Sequence, residues 1–293
     1  MRALLTGGTG FVGRVLAEKL IDAGFDLHAI VRPGSDTSAM PDATLVHRHD
    51  GSAARMAAIA AAARPDVTFH LASLFRAEHK PDEITPMIEA NLAFGTQLVD
   101  ALTALGPTKL VNAGTAWQHF GGSAYDPVCL YAATKQAFEA LLEFYVQARG
   151  LQAITLKIFE TYGPGDPRPK LMNALVAAAK SGKPIDLTAG DQQLDFVHAA
   201  DAADAFIAAA SRLTAGQAAG HERYALSSGA PVSTRQLVSL VERLGGRPIR
   251  ANWGARAYRK REVLVPWSGG AALPGWAPKI ALDQGIAELL RVP

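Results

Sequence analysis

Tyr131 and Lys135 are the residues of this chain whose types and spacing point most directly to chemistry. They stand four apart at the start of an apolar-periodic segment, residues 131–149, so on a helix they lie one above the other on the same face. A phenol with an ordinary pKa near ~10 is a poor proton donor or acceptor at neutral pH, and a fixed ammonium beside it stabilises the phenolate and makes it a usable acid/base. Two common residues at helical spacing also recur by chance, so the pair needs a third partner and elements that position it. Thr115 is the candidate third partner. It follows a strand-like run, residues 109–113, and its hydroxyl suits a hydrogen bond to the oxygen that Tyr131 would protonate, giving two donors where negative charge develops.

The elements that must do the positioning begin at the N-terminus. A short apolar run at residues 2–5 leads into Thr6-Gly7-Gly8-Thr9-Gly10-Phe11-Val12-Gly13 and then a helical pattern at 14–23: strand, glycine turn, helix. In that setting Gly7 permits the tight turn, Gly10 lets backbone approach a pyrophosphate, Gly13 permits close helix-to-strand packing, and the helix N-terminus attracts phosphate; a plain tight turn is the alternative. The second strand, 25–31, ends in Val31-Arg32 where an NAD-preferring fold carries a carboxylate for the ribose. An arginine there suits a 2′-phosphate, with Ser35 as a further donor, which favours NADP(H) over NAD(H); a solvated loop arginine is the other reading. The third strand, 44–46, runs on to Asp50, whose carboxylate reads either as an acceptor for an adenine amino group or as a helix cap. An Ala-rich helix at 52–64 precedes the fourth strand, 67–73, whose end presents Leu71, Ala72 and Ser73 to the cofactor side of the sheet, while His70 reads as a core histidine. A long helix at 83–105 carries Asn91. This alternation predicts an α/β fold, a doubly wound parallel sheet.

Composition bounds the ligands. The 293 residues, 49% hydrophobic and 19% charged, suit a soluble globular chain of one large domain or two lobes. A net charge of +2 offers no broad basic field for nucleic acid, so small anionic ligands fit better. The single cysteine, Cys129, excludes an intramolecular disulfide and a Cys-cluster metal site and reads as a packed thiol; no metal is expected. The strand-like run at residue 2, without a basic-then-apolar leader, and the absence of about 18 uninterrupted apolar residues predict a cytoplasmic protein with no membrane partner.

Taken together, the 6–13 glycine turn, His70-Leu71-Ala72-Ser73, Asn91, Thr115 and Tyr131-Ala-Ala-Thr-Lys135 resemble the extended short-chain dehydrogenase/reductase family of nucleotide-sugar enzymes, also called the NAD-dependent epimerase/dehydratase family. Residues 156–164, 195–201 and 275–279 with Gly285 resemble its later segments. The resemblance implies a Rossmann domain with a smaller C-terminal substrate lobe, a nicotinamide whose C4 meets a sugar carbon, and a catalytic set of Thr115, Tyr131 and Lys135. It further implies that Lys135 holds the nicotinamide ribose, that Asn91 and Phe159 lie by the cofactor, and that two subunits pair through the long helices as a homodimer. In the family's dehydratases the threonine is followed by an Asp-Glu pair; here Ala116 and Trp117 follow, and neither can move a proton. Residues 114–119, 130–139 and 191–198 resemble the CDP-abequose synthase type of 4-ketoreductase, which implies NADPH-dependent reduction of a nucleotide-linked 4-keto-6-deoxyhexose. The rivals are an NAD-dependent C4 epimerase and a non-catalytic dinucleotide sensor, which would have no need of all three catalytic residues.

Gly and Pro cluster at 163–169 and interrupt the Rossmann alternation. The expected division is therefore 1–162 plus 199–225 for the dinucleotide domain and 163–198 plus 226–293 for the substrate lobe. In that lobe Lys170 and Arg259 are candidate partners for a substrate diphosphate, a solvated charged face being the alternative. With Thr115, Trp117 and Glu160 they make up the expected substrate contacts. Glu160 departs from the family pattern, in which many relatives carry an asparagine, and Leu194 replaces a common arginine.

Overall fold

Along the first strand, β1 (Arg2–Thr6), Ala3 and Leu5 face one side of the sheet and Leu4 the other, and all three are fully buried because helices cover both faces. The computed structural model describes residues 1–291. After β1 come β2 (Asp26–Val31), β3 (Leu45–Arg48), β4 (Val67–His70), β5 (Thr108–Thr115) and β6 (Leu151–Ile158). Four short strands follow, β7 (Glu160–Tyr162), β8 (Ile185–Leu187), β9 (Gln193–Leu194) and β10 (Phe196–His198), and then β11 (His221–Leu226). The main sheet has seven strands in the order β11-β6-β5-β4-β1-β2-β3, all parallel. Helices α1 (Phe11–Asp22) and α7 (Ala199–Thr214) cover one face with Leu16, Leu20, Ala202 and Phe206. On the other face α2 (Ala53–Ala63), α4 (Phe94–Thr103) and α5 (Leu130–Arg149) bury Met56, Ile59, Leu98, Phe138 and Leu142. The doubly wound sheet reverses its strand order between β1 and β4, which opens a crevice at their C-terminal ends.

A smaller core forms where α6 (Leu171–Ser181), α8 (Thr234–Gly245) and α9 (Leu282–Arg291) meet around Tyr162, Leu175, Leu237 and Ile286. Here β8 pairs with β13 (Ala251–Trp253), β9 with β12 (Val232–Ser233), and β10 with β7.

Several boundaries differ from the sequence expectation for local reasons. Helix α1 starts at Phe11, so Gly13 lies inside it. Strand β5 runs on to Thr115, which is thus a strand-end residue. The long helix expected at 83–105 is three segments: α3 (Ile84–Ile88), a π-turn at Glu89–Ala93, and α4. The π-turn carries the buried Asn91, whose Oδ1 accepts from the Leu74 amide (2.7 Å) and whose Nδ2 donates to the Leu74 carbonyl (3.1 Å) and Thr134 Oγ1 (2.9 Å). One extra residue in a helical turn leaves no mark in composition. Among the described residues no helix is long and apolar enough to cross a membrane.

Candidate active site

The floor of the crevice is backbone. Gly7 has φ +74, and a Cβ there would lie 2.6 Å from the Ala72 amide nitrogen, so only glycine lets the β1–α1 turn close against the end of β4. A Cβ on Gly13 would collide with the Gly7 carbonyl. The cap of α1 is Gly10, which has no side chain to occupy the first-turn N–H groups. These groups face a cavity of about 230 Å³ whose lining includes Gly7, Gly10, Phe11, Val12, Gly13, Leu71 and Ser73. An anionic dinucleotide fits this cradle: a pyrophosphate can lie on N–H donors that no side chain has claimed. Behind it, Thr6 Oγ1 accepts from the Ala72 amide (3.2 Å) and meets His70 Nδ1 (2.8 Å). Burial, aided by the Lys135 charge, brings His70 down to about 3, so it stays neutral as a core group tying the glycine turn to the 71–73 segment.

The other wall comes from β5, β6 and α5, and the same cavity is lined by Thr115, Tyr131, Lys135 and Phe159. Tyr131 and Lys135 share one face of α5, the ammonium 5.9 Å from the phenol ring centroid. The Thr134 hydroxyl between them donates to the Tyr131 carbonyl (2.7 Å) and accepts from Asn91, so the π-turn braces the first turn of α5. Lys135 is 3% exposed and has no carboxylate within ion-pair distance among the described residues. Burial brings its ammonium down to about 8, with Glu139 opposing that shift. Burial also pushes the Tyr131 phenol above its ordinary value, against a hydrogen bond from Ser73, so it stands protonated, and the lowering expected from the Lys135 ammonium is outweighed by burial. Thr115 Oγ1 accepts from the Trp117 amide (3.3 Å), which leaves its hydroxyl proton to be given to a ligand.

Opposite the cradle the site is aromatic and ionic. Phe75 stands 5.0 Å from Tyr131 and 5.5 Å from Trp117, ring centre to ring centre. Three cations reach this wall and each has a carboxylate: Arg168 on Asp166 (2.7 Å), Lys170 on Glu160 (2.9 Å) and Arg259 on Glu262 (2.7 Å). Each also lies over an aromatic ring, Arg168 over Phe11, Lys170 over Phe75 and Arg259 over Trp117. A second, smaller cavity shares Trp117, Phe159 and Glu160 with the first and adds Arg259, Glu262 and a stack of Trp267 on His119 (3.8 Å).

The structure thus brings together most of the expected residues, but Thr9, Arg32, Ser35, Asp50, Ala72 and Asn91 are not part of the cavity lining. Arg32 is exposed beyond β2, and the neighbouring Arg48 donates to the carbonyls of Pro33 (2.7 Å) and Ser35 (3.3 Å), shaping that loop. Asp50 accepts from the Ser52 amide (2.9 Å) and hydroxyl (2.7 Å), and it is Ser52, not Asp50, that caps α2 by accepting from the Arg55 amide (3.1 Å). Asn91 acts through Leu74 and Thr134 rather than from the cavity wall. Sequence reasoning missed Phe75, Glu262 and Trp267. None belongs to a local motif; Glu262, three residues after Arg259, carried the only available signal, a charge of opposite sign at i+3.

Comparison with known proteins agrees with this geometry. The family model described as "NAD dependent epimerase/dehydratase family" matches residues 3–224. A UDP-glucose 4-epimerase of Mycolicibacterium smegmatis is 26% identical over 98% of this chain and 97% of its own length. A CDP-abequose synthase of Salmonella muenchen is 23% identical over 99% and 97%. Among solved structures, a Thermus thermophilus UDP-glucose 4-epimerase in complex with NAD superposes with a TM-score of 0.84 at 23% identity, over 99% of this chain and 98% of that one. A glycine cradle at the switch point, a Tyr/Lys pair on one helix face and a family match across most of the chain lead to one conclusion: the protein belongs to the NAD-dependent epimerase/dehydratase family, enzymes of the extended short-chain dehydrogenase/reductase type that work with NAD(P).

Proposed function

We propose that the protein reduces the C4 ketone of a nucleotide-linked 4-keto-6-deoxyhexose with NADPH. The observation that carries the choice of reductase is the end of β2, where Val31 and Arg32 stand in place of a carboxylate and Arg32 is exposed beside Arg48 on β3. Two guanidinium groups at that edge suit a 2′-phosphate and hence a cofactor that exchanges at each turnover. When bound, the nicotinamide supplies the hydride. Tyr131 gives its proton to the forming alkoxide, Lys135 supplies the positive charge beside the phenol, and Thr115 donates its free hydroxyl proton to the same oxygen. Ala116 and Trp117 bring no further acid or base to the site, which speaks against elimination of water. Trp117 and Phe75 offer an apolar wall to the sugar, and Lys170 and Arg259 its diphosphate partners once their carboxylates release them. In this reading residues 163–198 and 226–293 serve as the substrate lobe, and two copies pair through the exposed Leu141 and Phe144 of α5, which sedimentation of a Phe144→Glu variant as a monomer would support.

The test is NADPH oxidation, with NADH alongside, on CDP-, dTDP-, UDP- and GDP-linked 4-keto-6-deoxy sugars. Rapid oxidation with one nucleotide and a preference for NADPH is expected, and Tyr131→Phe should cut turnover by roughly 10²–10⁴-fold with cofactor affinity near normal. Unchanged turnover in that variant would overturn the catalytic assignment. The second reading, a C4 epimerase, is favoured by the likeness to UDP-glucose 4-epimerases. It predicts protein that purifies with NAD and needs no added cofactor.

A further inference from the structure

Behind Thr115 lies a cluster of charge that no substrate can touch. Glu139, one helical turn beyond Lys135 on α5, is fully buried. Its Oε1 accepts from Lys157 Nζ of β6 (2.5 Å) and Gln118 Nε2 (2.8 Å), and its Oε2 from Arg223 Nε of β11 (3.1 Å). Gln118 Nε2 also donates to Gln136 Oε1 (2.7 Å). With both amide hydrogens directed at those acceptors, the Gln118 carbonyl must face the other way, where it accepts from the Thr115 amide (3.0 Å). The chain Glu139, Gln118, Thr115 therefore sets the turn that aims the Thr115 hydroxyl. A buried ion pair is a poor way to gain stability, since apolar residues of similar volume commonly serve as well or better. What an apolar filling cannot supply is direction at Gln118 and negative charge near Lys135.

We propose that Glu139 is a positioning residue for the reaction, holding the Thr115 turn through Gln118 and setting a buried negative charge one helical turn from Lys135. The proposal rests on the reading of Thr115, Tyr131 and Lys135 as the catalytic set. Around Glu139 the charged or titratable groups are Lys135 and Glu143 on α5, Lys157 on β6, His221 and Arg223 on β11, and His119 in the turn after Gln118. Lys135 also faces Tyr131 on its own helix and His70 on β4. Burial alone would raise the Glu139 carboxyl, yet Lys157 and Gln118 hold it below the usual range, so it is a full negative charge at neutral pH. His221 is brought down to about 4, chiefly by burial, and so is uncharged there. Lys135, at about 8, loses its proton as pH rises through that value. Removing the charge of Glu139 moves this loss to lower pH; removing Lys157, which offsets Glu139, moves it to higher pH.

The experiment reads the titration of Lys135 in the cofactor-free protein by NMR of 13Cε-labelled lysine, assigned with Lys135→Met. The Lys135 midpoint is expected to fall by about one pH unit in Glu139→Gln and to rise in Lys157→Met, with Glu139→Asp close to the parent. Two shifts of opposite sign are not a result that loosened packing produces. Turnover of the sugar identified above should fall about tenfold in Glu139→Gln, with KM for NADPH within about twofold and the alkaline limb of kcat displaced in the same direction as the NMR midpoint. A midpoint that stays put in both variants, or moves the same way in both, overturns the proposal. Should Glu139→Gln fail to fold, the upward shift in Lys157→Met decides alone. If Tyr131→Phe turns over normally while the midpoints move as stated, the catalytic reading fails instead; if Tyr131→Phe is inactive and the midpoints are stationary, only the role of Glu139 fails.

Discussion

The two walls of the crevice are built to meet anions by different means. On the dinucleotide side the donors are backbone N–H groups at the start of α1, aimed by a turn that tolerates no Cβ at Gly7 or Gly13. On the other side the donors are side chains, and Arg168, Lys170 and Arg259 are each held by a carboxylate. A backbone cradle is all or none, because its donors cannot be substituted and only crowding removes them. A side-chain site is graded, because every contact with a phosphate is an exchange against a contact already made. Partly exposed ion pairs contribute only about 0–1 kcal/mol, so that exchange is cheap, and the carboxylates keep the empty wall from attracting any passing anion.

The largest effect that would break this comparison is expected at Gly13. Gly13→Val drives a side chain into the Gly7 carbonyl, an overpacking that costs about 1–3 kcal/mol and displaces the cradle. Saturable NADPH binding, followed by cofactor fluorescence, should disappear, and thermal melting should show a lower Tm. A dissociation constant within threefold of the parent would mean that side chains rather than backbone carry the pyrophosphate. Arg259→Met should give the graded behaviour: KM for the nucleotide sugar up about tenfold, which is about 1.4 kcal/mol, with kcat and cofactor affinity little changed. Loss of cofactor binding in that variant would mean that the two walls are not independent.

The same contrast explains what the sequence made legible. The glycine turn could be read because one backbone conformation needs glycine at Gly7 and Gly13, residues close together in the chain. Tyr131 and Lys135 could be read because helical periodicity puts residues four apart on one face. The opposite wall could be read only as a set of charges. That Lys170 pairs with Glu160 from β7, or that Arg259 lies on Trp117, depends on strand and loop placements with no local signature. Glu160 departs from the family pattern in the sequence itself, but its pairing with Lys170, ten residues away, depends on β7 lying beside the start of α6. Asn91 shows a third kind of illegibility, since its direction is set by a π-turn that neither propensity nor hydrophobic pattern marks.

The smallest effect, and the one that most sharpens the comparison, is expected from Glu160→Gln. In the parent the Glu160 carboxylate holds the Lys170 ammonium at 2.9 Å, and its charge pushes the Tyr131 phenol up. The amide keeps the size of the side chain but releases most of the attraction, so Lys170 meets a substrate diphosphate without first giving up an ion pair. KM for the nucleotide sugar should fall about two- to threefold, the gain shrinking in high salt, because a partly exposed pair has only about 0–1 kcal/mol to give back. The phenol, freed of a nearby negative charge, should titrate slightly lower. A KM that rises instead would mean that Glu160 is itself a substrate contact, accepting from sugar hydroxyls, and that the carboxylates of this wall recognise the ligand rather than guard the cations.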